Sequence, residues 1–175
     1  MRISKLYTGI LLFLSISIQI EVNAQVKSNE LPPNQYHAIE FHGVKLSELK
    51  ATNGVINEMQ KLLAIDKVCE GGIEIGEKWR SFYTSDGLII FFNGLSENQT
   101  PEIGRLESKS ISIDGKRAKI GDNIETLGPN LVIGNQYDGY NYYKFTLGNA
   151  DCCPISIKVD SNTNKIIEIL YFVQT

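Results

Sequence analysis

Histidine is nearly missing from this chain of 175 residues, with only His37 and His42 present. Cysteine occurs three times, as Cys69, Cys152 and Cys153. No Cys-x-x-Cys pair, His-x-x-x-His spacing, Gly-x-Ser-x-Gly elbow or Gly-x-x-x-x-Gly-Lys-Ser/Thr loop occurs. The usual signatures of structural zinc, an elbow serine nucleophile and a phosphate cradle are therefore lacking. A zinc site from His42 and the Cys152-Cys153 pair is conceivable, but a solvated strand histidine beside oxidised cysteine is the favoured reading. Glu74, Asp86, Asp138 and Asp151 fall in loops or at strand ends without a recognisable pairing, which leaves them as turn and solubility residues. Long runs of Lys and Arg are missing too. The 17 Lys and Arg are scattered among 20 Asp and Glu, a poor match to nucleic acid or an anionic membrane, which need concentrated positive charge. No cofactor, metal or catalytic set is expected.

What is present begins with an export signal. Arg2 and Lys5 form a positive start, Gly9 to Ile20 an apolar run, and Val22-Asn-Ala24 a small-residue cleavage site. The run is shorter than the roughly twenty apolar residues that span a bilayer, so residues 1–24 read as a signal peptide and no transmembrane segment follows. Its removal leaves a net charge of about −4 on an exported, periplasmic or extracellular chain. An oxidising compartment makes a disulfide the expectation. Cys69 joined to Cys152 or Cys153 would close a loop of roughly 84 residues, worth about 4–5 kcal/mol in the chain-entropy model. A bond between the neighbours Cys152 and Cys153 is the strained alternative, and the odd count leaves one thiol over.

Residues 25–37, polar and holding Pro32-Pro33, read as a flexible leader to a single domain over 38–175. The expected fold is α+β, an antiparallel sheet with short helices on one face. Ile111 and Ile113 alternate with polar residues into Asp114-Gly115, a strong hairpin signal because both residues tolerate positive φ. Asp122 and Glu125 look like the cap of a short helix that Gly128-Pro129 ends. Ile39 to Gly43 carries the same alternation and glycine, with a helix expected over Val55 to Leu63 after the Thr52-Asn53-Gly54 break. Further strands are expected over Ile73–Ile75, Trp79–Thr84, Leu88–Phe92, Leu131–Ile133, Tyr140–Leu147, Pro154–Asp160 and Ile166–Val173. The order is stated twice, which divides the domain into possible units 38–108 and 109–175.

Lys119-Ile-Gly-Asp122, with Leu127-Gly-Pro129 after it, resembles the turn opening and ending the helix in tandem-repeat secreted α/β proteins. These are of the beta-lactamase inhibitor protein and outer-membrane assembly lipoprotein type. The likeness covers part of one unit. It implies a curved antiparallel sheet used to hold another protein, and it carries over no catalytic residue.

In Tyr140 to Leu147 one face presents Asn141, Tyr143, Phe145 and Leu147 to the core. The other presents Tyr140, Tyr142, Lys144 and Thr146. Two tyrosines beside Lys144 on a wet face have the composition of a contact surface, and Trp79 and Tyr83 would extend it. Ordinary cross-strand packing is the plainer reading. The expected function is a secreted, non-enzymatic binding protein with an unknown protein partner. Alternatives are an exported hydrolase or thiol-redox enzyme using Cys152 and Cys153, and a periplasmic immunity or inhibitor protein.

Overall fold

The computed structural model describes residues 28–72, 76–148 and 152–173. The expected signal peptide and the strand at Ile73–Ile75 lie outside the described residues. No helix among the described residues is long and apolar enough to cross a membrane.

The chain enters through strand β1 (Asn29–Leu31) and helix α1 (Pro33–His37), where proline sits at the first helical turn and needs no amide partner. This corrects the expectation of a flexible leader for residues 29–37, while residues 25–27 lie outside the described residues. Tyr36 is only 1% exposed, and the Asn29 side chain grips the backbone on two sides. Its Nδ2 donates to Val132 O and Lys144 O at 3.0 and 3.1 Å, and its Oδ1 accepts from Val132 N at 2.8 Å. Apolar periodicity does not report such a polar anchor.

A tight hairpin follows, β2 (Glu40–Phe41) and β3 (Val44–Lys45), turning on His42 and Gly43 at φ 53° and 82°. Helices α2 (Leu46–Ala51) and α3 (Ile56–Leu62) are separated by Thr52-Asn53-Gly54, as the interrupted pattern requires. Glu48 caps α2 by accepting from Lys45 N at 3.1 Å. Four antiparallel strands come next: β4 (Lys67–Gly72), β5 (Lys78–Tyr83), β6 (Ile89–Asn93) and β7 (Glu102–Ser108).

The second half repeats this order. Its hairpin, β8 (Ser110–Ile113) and β9 (Lys116–Lys119), turns on Asp114 and Gly115 at φ 51° and 74°. The expected helix is one 3-10 turn, Ile124–Leu127. Its cap is Asn123, whose side chain accepts from Glu125 N at 2.9 Å, while Asp122 binds back to Lys119 N. Leu131–Ile133 is not a strand; Asn29 holds its backbone instead. Then come β10 (Asn135–Tyr137), β11 (Tyr140–Leu147), β12 (Ile155–Asp160) and β13 (Ile166–Phe172).

Strand order makes the correspondence plain. The large sheet runs β1-β11-β12-β13-β7-β6-β5-β4, with β10 also on β11, and the small one β3-β2-β8-β9. The last strands of the two halves, β7 and β13, pair antiparallel at the middle of the large sheet, and the first, β2 and β8, pair antiparallel in the small one. All pairings but the parallel β1 and β11 are antiparallel, an α+β architecture. One core fills the space between the large sheet and a layer of helices and small sheet. Phe82, Phe92, Leu106, Ile157 and Tyr171 meet Leu46, Leu49, Met59, Phe41 and Ile111, all fully or nearly fully buried. Burying such side chains contributes about 1.5–3 kcal/mol each.

Candidate partner-binding face

Because alternate residues of a strand face opposite ways, the buried set fixes the other set on the outer face. Phe82 is buried, so Trp79, Ser81 and Tyr83 of β5 point outward; Tyr143 and Phe145 are buried, so Tyr140, Tyr142 and Lys144 of β11 do. Trp79, Tyr83, Tyr140, Tyr142 and Lys144 thus share one side of the large sheet, each half-buried. Thr146 departs from its expected place in solvent: at 6% exposed it is covered at the β1 edge, donating to Gly148 O at 3.0 Å.

These residues do not form one patch. Four strands, β12, β13, β7 and β6, separate β11 from β5, a span of roughly 24 Å at about 4.8 Å per strand. At the β5 end Trp79 lies 5.8 Å from Phe91, centroid to centroid, and Ile89 is opposite Tyr83. Lys67 Nζ stands 5.6 Å from the Tyr83 ring. The Trp79 indole folds flat across Gly71, where any Cβ would come within 2.4 Å of the ring. In the middle, Arg105 Nε pairs with Glu107 Oε1 at 2.8 Å, between Leu170 and Phe172 of β13 and Phe91 of β6.

At the β11 end the cation is Lys158. Its Nζ is 3.9 Å from the Tyr140 ring and 5.9 Å from Tyr142, and it faces Glu168 across β13. Lys158 stands directly opposite Tyr142 and diagonal to Tyr140 in the ladder, and its long side chain reaches over the diagonal ring, the nearer of the two. The alternation Ile155-Ser-Ile-Lys-Val159 carries the signal for it. Such contacts hold flat aromatic groups in place without burying them, at about 0.5–1 kcal/mol each.

The thiols and imidazoles lie elsewhere. Cys69 belongs to β4, on the outer side, while Cys152 and Cys153 precede β12 and Cys153 packs on the core. All three are free. The expected bond from Cys69 is overturned: Cys153 lines a cavity with Glu102 and Ile103 of β7, and even β7 stands three strand steps from β4, roughly 14 Å, against a disulfide Cα limit of about 7 Å. Cys153 sits at φ 59°, its carbonyl accepting from Tyr36 Oη, beside a cavity of about 270 Å³ lined by Lys50, Glu102 and Tyr171 among others. Burial pushes its thiol acidity weaker, the Cys152 side chain adds to that, and Lys50 opposes it. Burial likewise pushes the Tyr36 and Tyr171 hydroxyls well above the usual phenol range.

His42 is engaged at both nitrogens, Nδ1 with Asp86 Oδ2 at 2.6 Å and Nε2 accepting from Lys109 N at 3.3 Å. The Thr84 hydroxyl, followed by His42, holds the Asp86 carboxyl below its usual range. With a backbone amide on Nε2, no nucleophile occupies the place a triad would give it. No group of three His, Cys, Asp or Glu suited to a metal occurs among the described residues. Neither family models, nor curated proteins, nor solved structures give a match to this chain.

Proposed function

We propose that this is an exported, non-enzymatic binding protein that holds a protein partner on the outer face of its large sheet. The observation that carries the reading is a bare face with rigid aromatic groups at both ends and an Arg105–Glu107 ion pair between them. Tyrosine and tryptophan combine large contact area with few rotatable bonds, so little entropy is lost when a partner covers them. The resemblance to tandem-unit secreted binding proteins belongs to this reading, and the symmetric strand order supports it. An immunity or inhibitor role differs only in the partner.

The thiol-redox alternative is less favoured by the chemistry of Cys153, since an attacking thiol needs lowered, not raised, pKa. The test is capture of partners by the native protein and by Tyr142→Ala and Trp79→Ala. An aromatic hot spot at the centre of such a contact costs roughly 2 kcal/mol or more when truncated, about thirtyfold in affinity. Equal recovery by all three proteins would refute the assignment of this face.

A further inference from the structure

We propose that two copies of this chain join edge to edge through β4. The pairing would continue the large sheet across a two-fold axis at Cys69, where the two thiols form a disulfide when an external disulfide is supplied. Unpaired edge strands are templates for another strand, and natural sheets blunt them by brevity, proline or charge. Among the described residues, three of the four sheet boundaries are blunted in this way. The β11 side is covered by the three-residue strands β1 and β10, and Pro32-Pro33 follows β1. In the small sheet β3 has two residues, and β9, Lys-Arg-Ala-Lys, carries three cations. Only β4 is long and open: six residues without proline, paired with β5 alone.

The phase of the ladder selects the occupant. Leu95 N donates to Lys78 O at 3.1 Å, Lys78 N to Ser96 Oγ at 2.9 Å, and Thr84 N to Leu88 O at 3.1 Å. Lys78 and Thr84 therefore direct their backbone groups away from β4, and by alternation Trp79, Ser81 and Tyr83 direct theirs toward Gly71, Cys69 and Lys67. The groups of β4 left facing outward belong to Val68, Glu70 and Gly72. An antiparallel copy centred on Cys69 then sets Cys69 opposite itself as a non-hydrogen-bonded pair, with Cα atoms about 4.5 Å apart, inside the disulfide range. Val68 and Glu70 of each copy exchange amide bonds with Glu70 and Val68 of the other. Lys67 falls opposite Gly71, beside the Trp79 indole, and no like charges oppose one another. A foreign strand would not place a cysteine at that position by symmetry.

The covalent step is thiol–disulfide exchange. One Cys69 thiolate attacks a sulfur of oxidised glutathione and releases one glutathione; the second Cys69 thiolate then displaces the other, so two thiols are oxidised as one glutathione disulfide is reduced. The test incubates the purified chain with oxidised glutathione and reads non-reducing electrophoresis, peptide mass mapping and amide exchange. A Cys69–Cys69 dimer is expected, abolished by Cys69→Ser and retained by Cys152→Ser combined with Cys153→Ser. In the dimer the Val68 and Glu70 amides slow more than tenfold relative to Cys69→Ser, while the Cys69 amide, already directed at Ser81, does not change. A cross-link through Cys152 or Cys153, a dimer whose Val68 and Glu70 amides exchange as before, or a monomer bearing only a glutathione adduct overturns the proposal. The last result would leave the edge to a strand of another protein.

Discussion

Tyr36 is the residue by which the N-terminal segment is fastened to the domain, and removing it in two steps separates its two contributions. Tyr36→Phe deletes only the hydroxyl that donates to Cys153 O. A net hydrogen bond is worth about 0.5–1.5 kcal/mol, and the buried carbonyl left behind adds to the cost, so the loss is about 1–2 kcal/mol. Tyr36→Ala also empties the space of a ring that is 1% exposed, and large aromatic deletions of that kind cost about 3–5 kcal/mol. With an m-value of about 2 kcal/mol per molar urea, the midpoint falls by about 0.5–1 M for Phe and about 1.5–2.5 M for Ala. Urea unfolding followed by tryptophan fluorescence measures both. A loss below about 1 kcal/mol for Tyr36→Ala would refute the docking of residues 29–37.

Three further outcomes follow from the same contacts. Asn29→Ala removes three bonds between β1, Val132 and Lys144 and should cost about 1–3 kcal/mol, with faster amide exchange at Val132; unchanged exchange there would contradict the clamp. Gly54→Ala forces a side chain into φ 66° with its Cβ 3.0 Å from the Phe92 ring, a loss of about 1–3 kcal/mol, read as a fall of about 0.5–1.5 M in the urea midpoint. Alkali should destabilise the fold: Tyr36, Tyr171 and Cys153 keep their protons in the folded state above the pH at which the unfolded chain releases them. Their contribution is therefore complete well below about pH 8.5 and is lost progressively as pH rises, from about 8.5 for Cys153 and from about 10 for the two tyrosines. A urea midpoint that rises between pH 8 and 10.5 would contradict this sign.

Local chemistry was the legible part of this fold. Asp114-Gly115 turns where its positive-φ tolerance predicts, and Trp79–Tyr83, Ile155–Asp160 and Ile166–Phe172 are strands because their alternation buries one face. Asp138-Gly139 carries the same turn signal at φ 50° and 79°, but β10 before it is wholly exposed and so has no alternation to flag it. Lys67 to Gly72 hides its strand behind two glycines, one of them making room for the Trp79 ring. Sheet order is a long-range property that period-two patterns do not encode. That is why the faces of Trp79, Tyr83, Tyr140 and Tyr142 were readable, while their separation, the Lys158 contact and the isolation of Cys69 were not.

The most direct measurement compares partner capture from source cells and their medium by the native chain and by a triple variant, Trp79→Ala with Tyr140→Ala and Tyr142→Ala. Glu58→Ala, on the helical side, serves as control, and all proteins are first matched for urea midpoint. The account predicts a specific protein retained by the native chain and by Glu58→Ala and lost by tenfold or more from the triple variant. Equal retention by the triple variant, or loss only from Glu58→Ala, would contradict it.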